Sequence, residues 1–212
     1  YGALDDVPLG ASALRHEPID AALRQRGIGE RRPLDLLTPY GCSKGAADQY
    51  VLDYARSFDL RTVVFRMSCI YGPNQNGNVD QGWVAHIVRR HLAGETVEIF
   101  GDGRQVRDLL FADDLVSALL LALASIDTLR GRAFNIGGGP ENACSLLELL
   151  AHLRALAGRD VPTRFCAWRP GDQRWYVSDT AAFREATGWR PRVSVRDGIT
   201  RLHRWLQQPS AN

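Results

Sequence analysis

The sequence is nearly without lysine. Its 26 basic residues comprise one lysine, Lys44, and 25 arginines, against 24 acidic residues. The formal net charge at pH 7 is therefore only +2, and like charges do not extend beyond adjacent pairs. Nucleic acids and anionic membrane surfaces attract proteins whose positive charges are clustered. This balance predicts that neither is the main partner.

Long apolar segments and closely spaced metal ligands are also missing. The longest apolar segment, LVSALLLALASI at 115–126, is shorter than the roughly 20 residues that a membrane-spanning helix needs. No signal peptide opens the chain, so we expect a cytoplasmic protein. The cysteines and histidines are scattered, which favours neither a disulfide framework nor a metal site. The four cysteines are Cys42, Cys69, Cys144 and Cys166.

What is present is an alternation of helix and strand patterns from about residue 40 onward. Apolar residues in 45–58 have helical spacing, and LRTVVFRMS at 60–68 is typical of a buried parallel strand. AFNIGGG at 133–139 resembles a strand that ends in a glycine turn. This order predicts an α/β fold. Further helices are expected at 80–93 and 113–125, after a capping box at Ser145 and Glu148, and after a similar signal at Ser194 and Asp197.

The first part of the chain does not follow this alternation. Residues 3–38 contain Pro8, Pro18 and Pro33 and many charges, without clean periodicity. We interpret them as a long excursion, with a short helix around 18–26.

The single lysine follows a tyrosine by four residues in TPYGCSK, residues 38–44. On a helix, Tyr40 and Lys44 would lie one turn apart on the same face. A neutral phenol is a poor base, but a nearby ammonium stabilises its anion. With six tyrosines in 212 positions, chance gives this spacing in about 3% of cases, 6/212. The pattern indicates a proton-transfer pair, and a surface helix turn is the alternative.

Five segments together resemble the extended short-chain dehydrogenase/reductase family of NAD-dependent nucleotide-sugar epimerases and dehydratases. They are YGCSK, FRMSCIYGP, FGDGRQVRDLLFADD, FNIGGG and RPGDQRWYVSD. Residues 68–86, SCIYGPNQNGNVDQGWVAH, are similar in particular to a branch that epimerises a CDP-linked sugar at C2. The resemblance implies the C-terminal part of a Rossmann-like doubly wound parallel sheet plus a smaller α/β substrate-binding domain. Residues 1–72 and 107–137 would form the first, and 73–106 and 138–212 the second.

The same resemblance implies a cofactor and a reaction. Tyr40 would be the acid/base that takes a proton from a sugar hydroxyl, and Lys44 would activate it and bind the nicotinamide ribose of NAD. A carbinol would be oxidised transiently to a ketone and reduced again on the opposite face. Ser68, Ile70 and Tyr71 end a strand, where open α/β sheets bind ligands, and would border the cofactor or sugar. A plain buried strand end is the alternative.

The resemblance also implies contacts to a nucleotide-diphosphate sugar. Arg107 and Arg169 would hold the diphosphate, and Asp172 the nucleotide ribose. Elsewhere, base contacts would come from Phe100 and Gly101, and sugar contacts from Asp80, Gln81 and Trp83. The alternatives are solvated arginines, a core phenylalanine and a helix start packed by an aromatic ring. Helix 45–58 resembles the family's dimer seam, which implies a homodimer.

One family feature is missing, namely the glycine fingerprint that binds the NAD pyrophosphate. The GGG at 137–139 is followed by Pro140 and predicts a turn instead. Tyr1 and Gly2 resemble the end of the segment that carries the family's catalytic serine or threonine. We therefore expect the C-terminal two-thirds of an enzyme, without its first Rossmann half. A nucleotide-sugar 4,6-dehydratase and a non-catalytic nucleotide-sugar-binding module remain alternatives to the epimerase.

Overall fold

The computed structural model describes residues 1–208 and has an α/β fold, which confirms the predicted fold class. The strands are β1 (Leu9–Ala11), β2 (His16–Pro18), β3 (Val63–Met67), β4 (Cys69–Tyr71), β5 (Val97–Phe100), β6 (Val106–Phe111), β7 (Arg132–Ile136), β8 (Ala143–Ser145), β9 (Thr163–Cys166) and β10 (Trp175–Tyr176). The helices are α1 (Ala21–Arg26), α2 (Thr38–Phe58), α3 (Trp83–Ala93), α4 (Ala112–Ala124), α5 (Ile126–Leu129), α6 (Leu146–Ala157), α7 (Ala181–Thr187) and α8 (Val195–Gln207).

Most strand pairs are parallel. β3 pairs with β7 over five residues, from Val63 opposite Arg132 to Met67 opposite Ile136. β6 is central to a second sheet, in which β4 and β10 are parallel to it and β8 is antiparallel. β5 pairs in parallel with β9, and β1 with β2 as an antiparallel hairpin. Because parallel strands end at the same edge of a sheet, this arrangement gathers the strand ends where ligands bind in open α/β folds.

Three buried apolar clusters hold these elements together. The first packs α3, α6 and α8 against β5, and the second packs α4 and α7 against β7. The third joins the first residues of the chain to β10. Each fully buried aliphatic or aromatic side chain contributes roughly 1.5–3 kcal/mol. The largest buried members of the clusters are Tyr71 and Phe111 in the first, Phe134, Phe183 and Trp189 in the second, and Trp175 and Tyr176 in the third.

The helix ends follow their local sequence signals. The Ser145 side chain accepts a hydrogen bond from the Glu148 N–H, and the Glu148 carboxylate accepts one from the Ser145 N–H, which confirms the capping box. Ser194 caps α8 by accepting from the Asp197 N–H, as predicted. The helix expected at 45–58 extends from Thr38 to Phe58, so it already includes Tyr40. Among residues 1–208, no helix combines the length and apolar character that crossing a membrane requires.

The excursion is more ordered than the sequence predicts. The short helix expected around 18–26 is α1, whose first turn is capped by Asp20. The hairpin of β1 and β2 was not predicted. Its strands have only three residues each, which is too short for an alternation of buried and exposed positions to be recognised in the sequence.

Candidate active site

α2 brings Tyr40 and Lys44 to one face of a helix. Pro39 lies in its first turn, where a missing N–H is tolerated, and the Thr38 hydroxyl accepts a hydrogen bond from the Gly41 N–H at 3.2 Å. The Lys44 Nζ lies 5.7 Å from the centroid of the Tyr40 ring. Both side chains are exposed and line one cleft. The geometric part of the sequence interpretation is therefore correct, and the chemical roles stay predictions.

The cleft has a volume of about 690 Å³, within the range of roughly 300–1,000 Å³ that small-molecule sites occupy. The lining comes from α2, from β3 and the start of β4, and from Tyr1 and Gly2. Four of the predicted site residues meet there, namely Tyr40, Lys44, Ser68 and Arg107. A second depression, of about 410 Å³ at the far end of α2, contains none of them.

A buried ion pair that the sequence interpretation missed fixes α2 against β3. The Arg66 guanidinium donates two hydrogen bonds to the Asp48 carboxylate, at 2.7 and 3.0 Å. The Asp48 carboxylate raises the pKa of Arg66 above its usual value. The Arg66 guanidinium also lies over the Tyr1 ring. Since Asp48 lies one turn after Lys44, this ion pair fixes the helix that carries Tyr40 and Lys44.

Ser68 lies at the carboxyl end of β3 and is bonded to a buried carboxylate. Its hydroxyl is within hydrogen-bond distance of both the carbonyl and a carboxylate oxygen of Asp108. The Gly139 N–H donates to the other carboxylate oxygen at 3.0 Å. Burial raises the pKa of Asp108, and these hydrogen bonds oppose that rise. A cofactor or sugar would therefore meet a Ser68 hydroxyl that already has a protein partner.

Ile70 and Tyr71 are placed differently from the other predicted residues. Tyr71 is 1% exposed and packs edge-on against Phe111, and its hydroxyl donates to the Val195 carbonyl at 3.4 Å. Burial raises its pKa. Ile70 packs against the second cluster. The Tyr71 side chain is enclosed in the core, which favours the alternative of a plain buried strand end, and its contact with a ligand stays a prediction.

The predicted diphosphate and ribose residues form a group that borders the cleft. The Arg107 guanidinium donates to the Asp172 carboxylate at 2.9 Å, and both side chains are largely buried. The Asp172 N–H donates to the Arg169 carbonyl at 3.2 Å, so these two residues share one turn. Arg107 thus connects the cleft to the turn that carries Arg169.

The predicted base contacts lie around that same turn. The Arg169 guanidinium stacks over the Phe100 ring at 3.9 Å from its centroid. Gly101 has a φ of +85°, and a Cβ there would lie 2.7 Å from three ring atoms of Trp168. The Arg174 guanidinium lies over that indole ring. Trp168 was missed in the sequence, although it immediately precedes the RPGD segment.

The DQGW stretch lies beside this group, outside the lining of the cleft. Asp80 is 3.4 Å from the Arg169 guanidinium. The backbone N–H groups of Asp80 and Gln81 both donate to the Asn78 side chain, which turns the chain into α3. The Trp83 indole N–H donates to the Cys69 sulfur at 3.3 Å. Trp83 therefore connects α3 to β4, and Gln81 is exposed.

Within residues 1–208, no three histidine, cysteine, aspartate or glutamate side chains converge in a way that could hold a metal ion.

Comparisons with known proteins identify the family of this chain. Residues 21–137 match the family described as "Epimerase: NAD dependent epimerase/dehydratase family". The chain is 41% identical over 210 residues to CDP-paratose 2-epimerase of Salmonella typhi, and the match covers 97% of this chain and 61% of that enzyme. The chain thus spans less than two-thirds of this relative.

Solved structures show the same relationship. A UDP-glucose 4-epimerase from Thermotoga maritima, solved with UDP-glucose, is 33% identical with a TM-score of 0.74, covering 81% of this chain and 54% of that one. A UDP-glucuronic acid 4-epimerase from Bacillus cereus, solved with UDP-glucuronic acid and NAD, is 25% identical with a TM-score of 0.76. That match covers 85% of this chain and 56% of the other.

Proposed function

This chain belongs to the NAD dependent epimerase/dehydratase family, and from that premise we propose that the natural protein carrying it epimerises a nucleotide-diphosphate sugar. The observation that carries the proposal is the Tyr40 and Lys44 pair at a cleft that also contains Arg107. The 41% identity to a CDP-paratose 2-epimerase supports CDP-paratose as the sugar nucleotide and C2 as the inverted carbon.

The residues of the cleft fit NAD. Among the described residues, the ion pairs of α2 are formed by Asp48, Asp53 and Arg56, and Lys44 forms none. Its ammonium is therefore available to ribose hydroxyls at the edge of the cleft. Tyr40 exchanges a proton with the sugar hydroxyl, and the ammonium of Lys44 stabilises the phenolate formed in that exchange. NAD, when bound, supplies the hydride acceptor and donor for the sugar carbon.

The second group of residues suits a diphosphate. Arg107 and Arg169 offer planar guanidinium groups that match phosphate oxygens. Asp172 already engages Arg107 and can accept from a ribose hydroxyl with its other oxygen. We propose Phe100 and Gly101 as base contacts, because Phe100 lies under the Arg169 guanidinium and Gly101 follows it. The DQGW side chains of Asp80, Gln81 and Trp83 remain our proposal for the sugar pocket.

The remaining expectations become proposals on the same basis. We propose that 1–72 and 107–137 belong to an NAD-binding domain, and 73–106 and 138–212 to a nucleotide-sugar-binding domain. Residues 209–212 of the second lie outside the described part. We also propose a cytoplasmic homodimer formed through α2. The exposed apolar side chains of α2 support this seam, and they are Tyr50, Val51, Tyr54 and Phe58.

The test is product analysis on the natural protein. Purified enzyme with its NAD content measured is incubated with CDP-paratose, and the nucleotide sugar is separated and examined by NMR. We expect a mixture of the C2 epimers, with no net oxidation of the sugar. Tight NAD and CDP binding without inversion would favour the non-catalytic binding module. A 4-keto-6-deoxy sugar formed from a nucleotide-linked hexose would favour the dehydratase.

A further inference from the structure

The unpredicted hairpin of β1 and β2, residues 9–18, contacts the turn beside the predicted base contacts. The chain reaches it from Tyr1 and Gly2 at the cleft. The hairpin itself lies against the start of α6 and against the turn of residues 101–104, which joins β5 to β6. A link between this turn and ligand binding rests on the proposed function, because we assign the nucleotide to the residues beside the turn.

Three hydrogen bonds tie the turn together and to the hairpin. The His16 Nε2 lies 2.9 Å from one carboxylate oxygen of Asp102. The other oxygen accepts from the Arg104 N–H at 2.9 Å. The His16 N–H donates to the Arg104 carbonyl, also at 2.9 Å. His16 is 8% exposed, so it cannot readily replace this partner with water.

The shape of this turn matters to the residues around it. Gly101 adopts the left-handed conformation, and its Cα packs so closely against the Trp168 ring that a Cβ would not fit between them. Phe100, just before it, lies under the Arg169 guanidinium. The Phe100 carbonyl accepts a hydrogen bond from the Gln105 side chain at 2.6 Å, and this bond connects the two ends of the turn. A displacement of the turn would therefore shift both aromatic surfaces.

The hairpin is itself anchored. Arg15 donates to both carboxylate oxygens of Glu148, one of them at 2.6 Å, and to the Ala143 carbonyl at 3.1 Å. The Ser145 hydroxyl donates to the Leu14 carbonyl at 2.7 Å. Glu148 and Ser145 also cap α6, so the hairpin is attached to a helix end in the first core cluster. The hairpin that carries His16 is therefore held in place against α6.

We propose that His16 is a positioning residue for nucleotide binding. Through Asp102 it holds the turn in the shape that presents Phe100 and Trp168 to the nucleotide. It does not touch the substrate, and it lies outside the lining of the cleft.

Isothermal titration of CDP into the NAD-loaded natural protein tests this role. We expect His16→Ala to weaken CDP binding about tenfold, as the loss of one well-ordered polar contact does. His16→Gln should restore binding to within about threefold of wild type, because its amide can donate from nearly the same position. Neither variant should change the NAD content, and kcat should stay within about twofold while KM rises.

The control variant removes an ion pair that includes no residue of the turn or of the hairpin. Arg154 and Asp160 are both about two-thirds exposed and pair at 3.4 Å, so Arg154→Ala should bind CDP as wild type does. Wild-type CDP affinity in His16→Ala would overturn the proposal. Equal losses of CDP and NAD binding with a lowered Tm would also overturn it, since they show a general loss of structure.

Hydrogen exchange separates this proposal from the proposed function. Without any nucleotide, His16→Ala should speed amide exchange at residues 101–104, and unchanged exchange there would overturn the proposal. If wild type binds no CDP while the exchange effect appears, the nucleotide assignment fails and the structural support stands. If His16→Ala does not fold, Asp102→Ala serves instead, because it removes the carboxylate that faces His16 and leaves no polar side chain to replace it. It should give the same loss of CDP affinity.

Discussion

Tyr40 and Lys44 illustrate how much chemistry two residues can specify. In a protein with 25 arginines, charge alone does not explain the lysine at the cleft. Arginine presents a wide planar fork, whereas lysine presents a compact ammonium on a flexible stem. The Lys44 Nζ lies 5.7 Å from the centroid of the Tyr40 ring, and in our proposal the same ammonium also binds a ribose hydroxyl.

Tyr40→Phe tests the proton-transfer role. The change removes the hydroxyl and preserves the ring, so we expect kcat to fall by about 10²–10⁴-fold, the usual contribution of a general acid/base. CDP affinity should stay within about twofold. Tyr50→Phe is the control, because Tyr50 lies on the same helix and does not line the cleft. Turnover at the wild-type rate in Tyr40→Phe would refute the assignment.

Lys44→Arg tests whether the compact ammonium matters. The substitution keeps the positive charge, but the guanidinium cannot take the same position between the phenol and a ribose. We expect NAD affinity to fall about tenfold or more, measured by NAD retained after gel filtration, and kcat to fall with it. Arg56→Lys, at an exposed position of α2, should change neither. Normal NAD retention in Lys44→Arg would show that charge alone suffices.

At the scale of elements, features that depend on residues within one helical turn were predicted well, whereas features that depend on tertiary contacts were not. The capping residues Ser145 and Ser194 were found because a cap depends on residues within one turn. The pair Tyr40 and Lys44 was found for the same reason. The hairpin was missed although its strand pairing is local, because strands of three residues are too short to show an alternating pattern. The contacts that anchor it, such as the one between His16 and Asp102, join residues far apart in sequence.

The contacts of the site show the same difference: sequence motifs identified residues, whereas contacts that depend on the fold were missed. Family resemblance named Arg107, Arg169 and Asp172, and the structure brings them together. It did not reveal that Trp168 packs on Gly101, because that contact depends on a left-handed turn. Nor did it reveal that the Tyr71 side chain is buried, since burial at a strand end depends on which helix covers it, and here that helix is α8.

The helices of the first cluster also contain three histidines with a pH consequence. His91, His152 and His203 lie on α3, α6 and α8, and each has a ring nitrogen that is buried without a hydrogen-bond partner. Burial lowers the pKa of all three, and His91 and His152 lower that of His203 further through charge repulsion. The positive charges of Arg159 and Arg196 act in the same direction on His91 and His152.

We therefore expect stability to fall in mild acid. A lowered folded pKa means that the unfolded chain binds protons first, so stability is lost as pH falls from about 6.5, the unfolded value, through the folded pKa. Each histidine contributes a slope of at most about 1.4 kcal/mol per pH unit. Urea unfolding between pH 7.5 and 5 measures the slope. His203→Gln should reduce it, and an unchanged slope would contradict this origin.

At the scale of the whole molecule, the faces of two helices within residues 1–208 carry several exposed apolar side chains. The face of α2 carries Tyr50, Val51, Tyr54 and Phe58. The face of α4 carries four residues at helical spacing, each at least half exposed, and these are Val116, Leu119, Leu120 and Leu123. Soluble proteins seldom leave a large contiguous apolar surface uncovered, so each of these faces is a candidate interface.

The proposed dimer makes a prediction that separates these two faces. If α2 forms the seam, Tyr54→Arg places a charge against its own symmetry mate and should convert the dimer to a monomer at micromolar concentration. Light scattering coupled to gel filtration of the natural protein measures the mass. Leu120→Arg, at 63% exposure against 48% for Tyr54, is the matched change on α4 and should leave the dimer intact. Dissociation by Leu120→Arg alone would place the interface on α4 instead.

Because α2 also carries Tyr40 and Lys44, NAD retention gives a second measurement. If the seam is on α2, NAD retention should fall when the dimer dissociates, and if the seam is on α4, NAD retention should not change.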